Sequence, residues 1–155
     1  MRYWLMKSEP STFGIDELAA SPKQTASWEG VRNYQARNML RDDMSAGDLA
    51  FFYHSSCPEP GIAGVMEVVR AGYPDASAWN PKSEYFDAKS TEKKPLWYTV
   101  DVRLQQRAKH LLPLAVLREH AAEELDGLLL LRRGNRLSIT PVDRAHWKFI
   151  VSLMR

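Results

Sequence analysis

The sequence predicts an α+β domain built on a curled, mostly antiparallel sheet or small barrel. Strand-like segments outnumber helical ones, and the two kinds do not alternate strictly as a doubly wound fold requires. Length sets the scale: 155 residues suit a single domain, read here as 1–155, and are too few for two comfortable ones. A chain of this size buries about two thirds of its unfolded surface and needs no disulfide or metal to fold.

Four segments alternate between apolar and polar positions as strands do: Tyr3 to Lys7, Leu49 to His54, Ile62 to Val69 and Leu96 to Leu104. The last is the clearest, with Leu96, Tyr98, Val100, Val102 and Leu104 on one face and Trp97, Thr99, Asp101 and Arg103 on the other. Gly47-Asp48 supplies a turn ahead of Leu49. Leu128 to Leu131 and Leu137 to Ile139 are candidate short strands, the second following a turn at Gly134-Asn135. Among helices, Asn33 is placed to cap a run to about Asp43 with Ala36, Met39 and Leu40 inward. Thr140-Pro141-Val142-Asp143 reads as the start of a C-terminal helix, combining a cap, a proline at the first helical position and an acid that completes a capping box. Shorter helices are expected near Ile15 to Ala20 and Pro113 to Glu124. The polar stretch Pro74 to Pro95 holds Trp79, Tyr85 and Phe86, so it reads as a long functional loop and not a linker.

Composition excludes several classes. An apolar share of 45% and a charged share of 26% are those of an ordinary globular protein. Cys57 stands alone, so no internal disulfide is possible. No apolar run approaches the ~18 residues of a membrane helix, and Met1 to Lys7 is too short and too soon charged for a signal peptide. The expected setting is the cytoplasm of a bacterium, or the nucleus in a eukaryote, with a monomer as the default and no membrane partner. Net charge is +2, far from the excess of a protein that coats phosphate backbones. Nucleic-acid binding would therefore rest on local clusters: Arg32 and Arg37; Arg103, Arg107 and Lys109; Arg132, Arg133 and Arg136.

Catalytic signatures are missing. His54 and Cys57 are close in sequence, but nothing orients the histidine, and Cys57 precedes Pro58 in a turn. His54, His110, His120 and His146 are scattered without metal-ligand spacing, so no metal or other cofactor is expected. His146 interrupts the apolar stripe of the last helix and reads as a hydrogen-bonded, partly buried residue. Gly61-Ile62-Ala63-Gly64 lacks the spacing of a phosphate loop. The reading is a non-enzyme.

Aromatic side chains stand outside the core pattern. Trp28 precedes the turn Glu29-Gly30, Tyr34 begins a helix, and Trp97 lies on the polar face of its strand. At these residues the chain resembles a known family. Trp4-Leu5-Met6-Lys7-Ser8-Glu9-Pro10 is similar to the opening of the EVE domain, and Trp28-Glu29-Gly30-Val31-Arg32-Asn33-Tyr34-Gln35-Ala36-Arg37-Asn38 to its most specific motif. Phe51 to Ser55, Pro60 to Gly64, Asn80 to Asp87 and Asn135 to Val142 follow in the family's order.

The resemblance implies a PUA-like pseudo-β-barrel of about five or six mostly antiparallel strands, with flanking short helices and a C-terminal helix. It also implies a pocket for a modified base, with modified cytosine in DNA favoured; an RNA-binding PUA-like domain acting on transfer or ribosomal RNA is the alternative, and a hydrolase on the same scaffold comes third. Carried onto this chain, the pocket draws on Lys7, Ser8, Glu9, Trp28, Val31, Arg32, Asn33, Tyr34, Tyr53, His54, Ser55, Tyr85 and Arg136. These residue types suit the task. A base is a flat ring with polar edges, so an aromatic cage of Trp28 with Tyr34 or Tyr85 supplies stacking faces. Asn33 offers donors and an acceptor to a base edge, or else serves as a helix cap; Lys7 and Arg32 are placed to meet phosphates or to remain solvated or internally paired, and for Arg37 the solvated or paired state is the favoured reading.

Overall fold

The computed structural model describes residues 1–154. Six strands form one open, mixed sheet in the order β2-β5-β4-β3-β1-β6. They are β1 (Tyr3–Ser8), β2 (Thr25–Ser27), β3 (Leu49–His54), β4 (Gly61–Pro74), β5 (Tyr98–Pro113) and β6 (Ile139–Val142). Only β1 and β3 pair in parallel, from Tyr3↔Leu49 to Ser8↔His54; the other neighbours are antiparallel. Four register shifts along the β4–β5 ladder curl it, since each bulge adds local twist.

The central strands are buried on both faces. Trp4, Met6, Ala50 and Phe52 enter one apolar cluster with Leu18 of α2 (Ile15–Ala20), Ala36 of α3 (Tyr34–Asn38) and Trp28. Leu5, Phe51 and Tyr53 enter the other with Leu117 of α4 (Leu114–Arg118) and Trp147 and Ile150 of α5 (Arg144–Leu153). A short helix α1 (Pro10–Phe13) precedes α2. Two-sided burial explains why β1 and β3 hold consecutive apolar residues; each fully buried Phe contributes about 1.5–3 kcal/mol. Asn33 caps α3, its Oδ1 accepting the Ala36 amide at 3.0 Å, and α3 passes into a π-helical turn, Met39–Asp43.

Several expected elements are corrected. Thr140 to Val142 does not open the last helix but forms β6, paired with β1 from Tyr3↔Val142 to Met6↔Ile139. Burial of Ile139, Thr140 and Val142 together with that ladder outweighs the local capping signal. Pro141 is tolerated because β6 is an edge strand. The helix starts at Arg144, and its Asp143 cap makes no side-chain bond. Leu128 to Leu131 is no strand; a 3-10 turn spans Leu129–Leu131 and buries Leu130. Of Pro113 to Glu124 only α4 is helical. β4 and β5 run longer than their apolar alternation, since backbone pairing carries them past the buried stretch, and β2 has too few apolar positions to be seen.

Candidate functional site

A cavity of about 740 Å³ opens beside the ends of β1 and β2. From β1 and α1 come Lys7, Ser8, Glu9, Thr12 and Phe13; from β2 and the turn after it come Ala26 to Arg32; Glu84, Tyr85 and Ser138 close the ring. Its volume lies within the range of small-molecule and cofactor pockets.

Trp28 forms a wall backed by the core. Its amide donates to Val100 O at 2.8 Å, and its ring meets Phe52 edge-on at 5.2 Å and Phe13 at 6.4 Å. The indole is thus core residue and cavity lining at once, at 6% exposure. Tyr85 supplies a second aromatic surface. It lies against Gly30, whose backbone has φ +88°, and a Cβ at that position would fall 2.5 Å from the Tyr85 ring. Only glycine combines that backbone with so close an approach.

Arg32 and Asp75 hold this arrangement together. Arg32 Nη1 donates to Asp75 Oδ2 at 3.0 Å, and Nη2 donates to Tyr85 O at 2.7 Å. The guanidinium also sits over the Trp97 ring at 5.4 Å. Asp75 is fully buried and accepts from Gly30 N, Ser77 N and Ser77 Oγ as well. The loop that carries Tyr85 is thereby tied to the turn that carries Gly30.

Local electrostatics differ from bulk water. Burial raises the Glu29 carboxyl above its ordinary range, and nearby Asp75 adds to the rise against Ser77 and Arg32. Burial lowers the Lys7 ammonium. Tyr85 is raised by burial and then by Glu84.

Of the residues expected in the pocket, the structure brings together Lys7, Ser8, Glu9, Trp28, Val31, Arg32 and Tyr85. Others fall elsewhere. Asn33 spends its oxygen on the α3 cap. Tyr34 stacks on Trp97 at 4.9 Å, away from the cavity, with the Arg37 guanidinium 5.0 Å from its ring centre. Tyr53 belongs to the cluster on the opposite face of the sheet, where burial pushes its phenol up to about 12. Ser55 donates its amide to Ser8 O, supporting the lining residue and not joining it. Arg136 is exposed and does not line the cavity, standing two residues before Ser138, which does. Arg37 is internally paired, as favoured for it, donating to Leu96 O and Asn38 Oδ1, and Arg32, for which the sequence leaves phosphate contact and internal pairing both open, is bound to Asp75. Sequence reasoning missed Glu29, Gly30, Glu84 and Ser138, although Glu29-Gly30 lay inside its strongest motif.

His54 has a structural task. Its Nε2 accepts the Ile15 amide at 3.1 Å, fastening α2 to the end of β3, and burial lowers its pKa from 6.5. The sign follows: a neutral imidazole is favoured in the fold, so this contribution is present above the unfolded value of 6.5 and lost as pH falls through the lowered folded value. Urea midpoints should therefore drop on acidification from pH 7 to 5 more steeply in the wild type than in His54→Gln. Parallel pH profiles would remove this role. His146 is buried and pairs Nε2 with Asp126 O at 2.9 Å. Among the described residues no group of three potential metal ligands converges, and no helix is long and apolar enough to cross a membrane.

Comparison with known proteins places this geometry. The model of the EVE domain family matches residues 2–153. The chain belongs to the EVE domain family. Human thymocyte nuclear protein 1 is 44% identical over 97% of this chain and 73% of its own length. A crystal structure of a Pseudomonas putida protein superposes with a TM-score of 0.92 at 50% identity, covering 99% of each chain. The human THYN1 protein, solved in complex with 5-methylcytosine containing DNA, superposes with a TM-score of 0.93 at 42% identity, covering 100% of this chain and 98% of that one. The EVE domain fold here is thus the six-stranded open sheet with its short helices and C-terminal helix, a PUA-like arrangement that stays unclosed because β2 and β6 are not paired with each other.

Proposed function

We propose that this EVE domain is a non-catalytic module that holds a modified base, with modified cytosine in DNA favoured, in the cavity between Trp28 and Tyr85. The carrying observation is that cavity, with two aromatic surfaces and polar edge groups, in a chain so similar to a protein solved on 5-methylcytosine containing DNA. Trp28 and Tyr85 supply stacking, which contributes about 1–3 kcal/mol per base. Glu29 presents a carboxylate suited to accept from the exocyclic amino group of cytosine, and Lys7 presents donors to the ring's acceptor edge, while the Ser8 hydroxyl donates to Phe13 O and keeps only acceptor capacity for a ligand.

Magnitudes shape the expected behaviour. Burying one methyl contributes about 0.8 kcal/mol, roughly a four-fold preference. Extruding a base from a duplex costs a few kcal/mol, which methyl burial alone does not supply. Binding should be modest, salt-sensitive and tighter on single-stranded or mismatched targets. The test is a fluorescence-anisotropy titration with DNA and RNA strands that carry cytosine or 5-methylcytosine at one position. A preference of a few-fold for the methylated DNA strand is expected, reduced by Trp28→Phe, which keeps an aromatic ring against Phe13 and Phe52. Equal binding to every strand would overturn the reading, and preference for RNA would redirect it to the other polymer.

A further inference from the structure

If a strand lays one base in the cavity, its phosphates must be met by cations that are free to leave water for them. Arg32 is bound to Asp75 and Tyr85 O, Arg37 to Leu96 O, and Arg41 pairs with Asp42. Arg103 pairs with Glu67, and Arg107 with Asp16. The turn that leads into the cavity-lining Ser138 differs from all of these. Arg132, Arg133 and Arg136 are exposed, and among the described residues none of the three takes part in an ion pair. No acidic residue occurs between Asp126 and Asp143. The lysines of the Pro74 to Pro95 loop, by contrast, are interspersed with Glu84, Asp87 and Glu92.

This turn is also built to hold its shape. Asn135 N donates to Arg132 O at 3.1 Å, and Asn135 Nδ2 donates to Leu129 O at 2.7 Å. Asn135 Oδ1 in turn accepts from Leu137 N at 3.1 Å. Leu128 and Leu130 anchor the approach in the core, and Ser138 O accepts the amide of Lys7, itself a lining residue. An unpaired basic turn on a braced backbone loses little freedom when it binds, and guanidinium forks match phosphate oxygens in pairs.

We infer that Arg132, Arg133 and Arg136 form the phosphate-gripping rail of this domain, seating the nucleic-acid backbone next to the base held in the cavity. The inference rests on the base-holding reading above for its ligand, but its signature is separate: a rail acts on affinity and salt dependence for any sequence, whereas the cavity acts on methyl discrimination.

The experiment compares wild type with Arg132→Gln/Arg133→Gln/Arg136→Gln on 5-methylcytosine and cytosine single strands over a salt series. A control variant, Arg118→Gln/Arg144→Gln/Lys148→Gln, removes the same charge from α4 and α5, which cover the other face of the sheet. The expected result is a ten-fold or greater loss of affinity for the rail variant at low salt, equal for both strands. Its log–log salt slope should be shallower by about 2, three contacts at roughly 0.7 each. The control should lose much less. Wild-type affinity and slope in the rail variant, or an equal loss in the control, would overturn the inference. Loss of the slope in a protein that never distinguished methylated from unmethylated strands would support the rail and sink the base-holding reading instead.

Discussion

Asp75→Ala is expected to destabilise the domain by about 3 kcal/mol, the lower end of the 3–5 kcal/mol typical for breaking a buried ion pair. The carboxylate is fully buried and accepts from Gly30 N, Arg32 Nη1, Ser77 N and Ser77 Oγ. Alanine leaves those donors without their acceptor and the guanidinium without its counter-charge. The lower end applies because the Arg32 side chain is 24% exposed, so water takes up part of the lost pairing. Asp75→Asn keeps an oxygen for Ser77 but presents an amide group where Gly30 and Arg32 also donate, and should fall between alanine and wild type. Urea denaturation checks the order, and a loss below 1 kcal/mol for alanine would contradict it. A second readout is independent of stability. Asp75 helps hold the Glu29 carboxyl high, so its removal should bring the Glu29 pKa part of the way back toward 4.5, with burial keeping it above that value. An unchanged Glu29 titration by NMR would show that the two carboxyls are not coupled.

Asp75 illustrates what the sequence conceals. It is one acid in a polar loop, and nothing within a few residues marks it as buried; its role comes from Gly30 and Arg32, more than forty positions earlier. The same limit applies to Ser138, which reaches the cavity because β6 pairs with β1 and not because of any local pattern. Residues whose position depends on strand alternation were legible in part. Alternation along β3 sends Phe52 toward Trp28 and Tyr53 to the opposite face, so membership of a motif did not imply membership of the pocket. What the sequence carried well was local, the Asn33 cap and the β1 and β3 strands, whereas the meeting of Lys7, Ser8 and Glu9 with Trp28, Val31 and Arg32 followed from the family resemblance and not from any local pattern. The start of α5 was misjudged because a proline-containing cap and an edge strand use the same residues, and only long-range pairing decides between them.

Gly30→Ala is expected to abolish most of the proposed base binding while leaving a folded protein. The left-handed backbone at φ +88° costs an alanine about 1–2 kcal/mol. The larger consequence is geometric, because the new Cβ would sit 2.5–2.7 Å from three atoms of the Tyr85 ring. That ring can swing away, so the clash resolves by removing the cavity's second aromatic surface and not by unfolding the sheet. Loss of one stacking face, at about 1–3 kcal/mol, corresponds to a five- to 150-fold loss of affinity on the best-bound strand. Tyr85→Ala should lose a similar factor without the backbone penalty. The double variant separates the causes: with the ring gone there is nothing for the alanine methyl to strike, so the double variant should bind no more weakly than Tyr85→Ala alone. Its loss of stability should also be smaller than the sum of the two single losses, since the clash contributes to Gly30→Ala and is absent from the double variant. Additive losses in affinity would mean that the Gly30 backbone meets the ligand directly, and that the Gly30–Tyr85 contact does not shape the pocket.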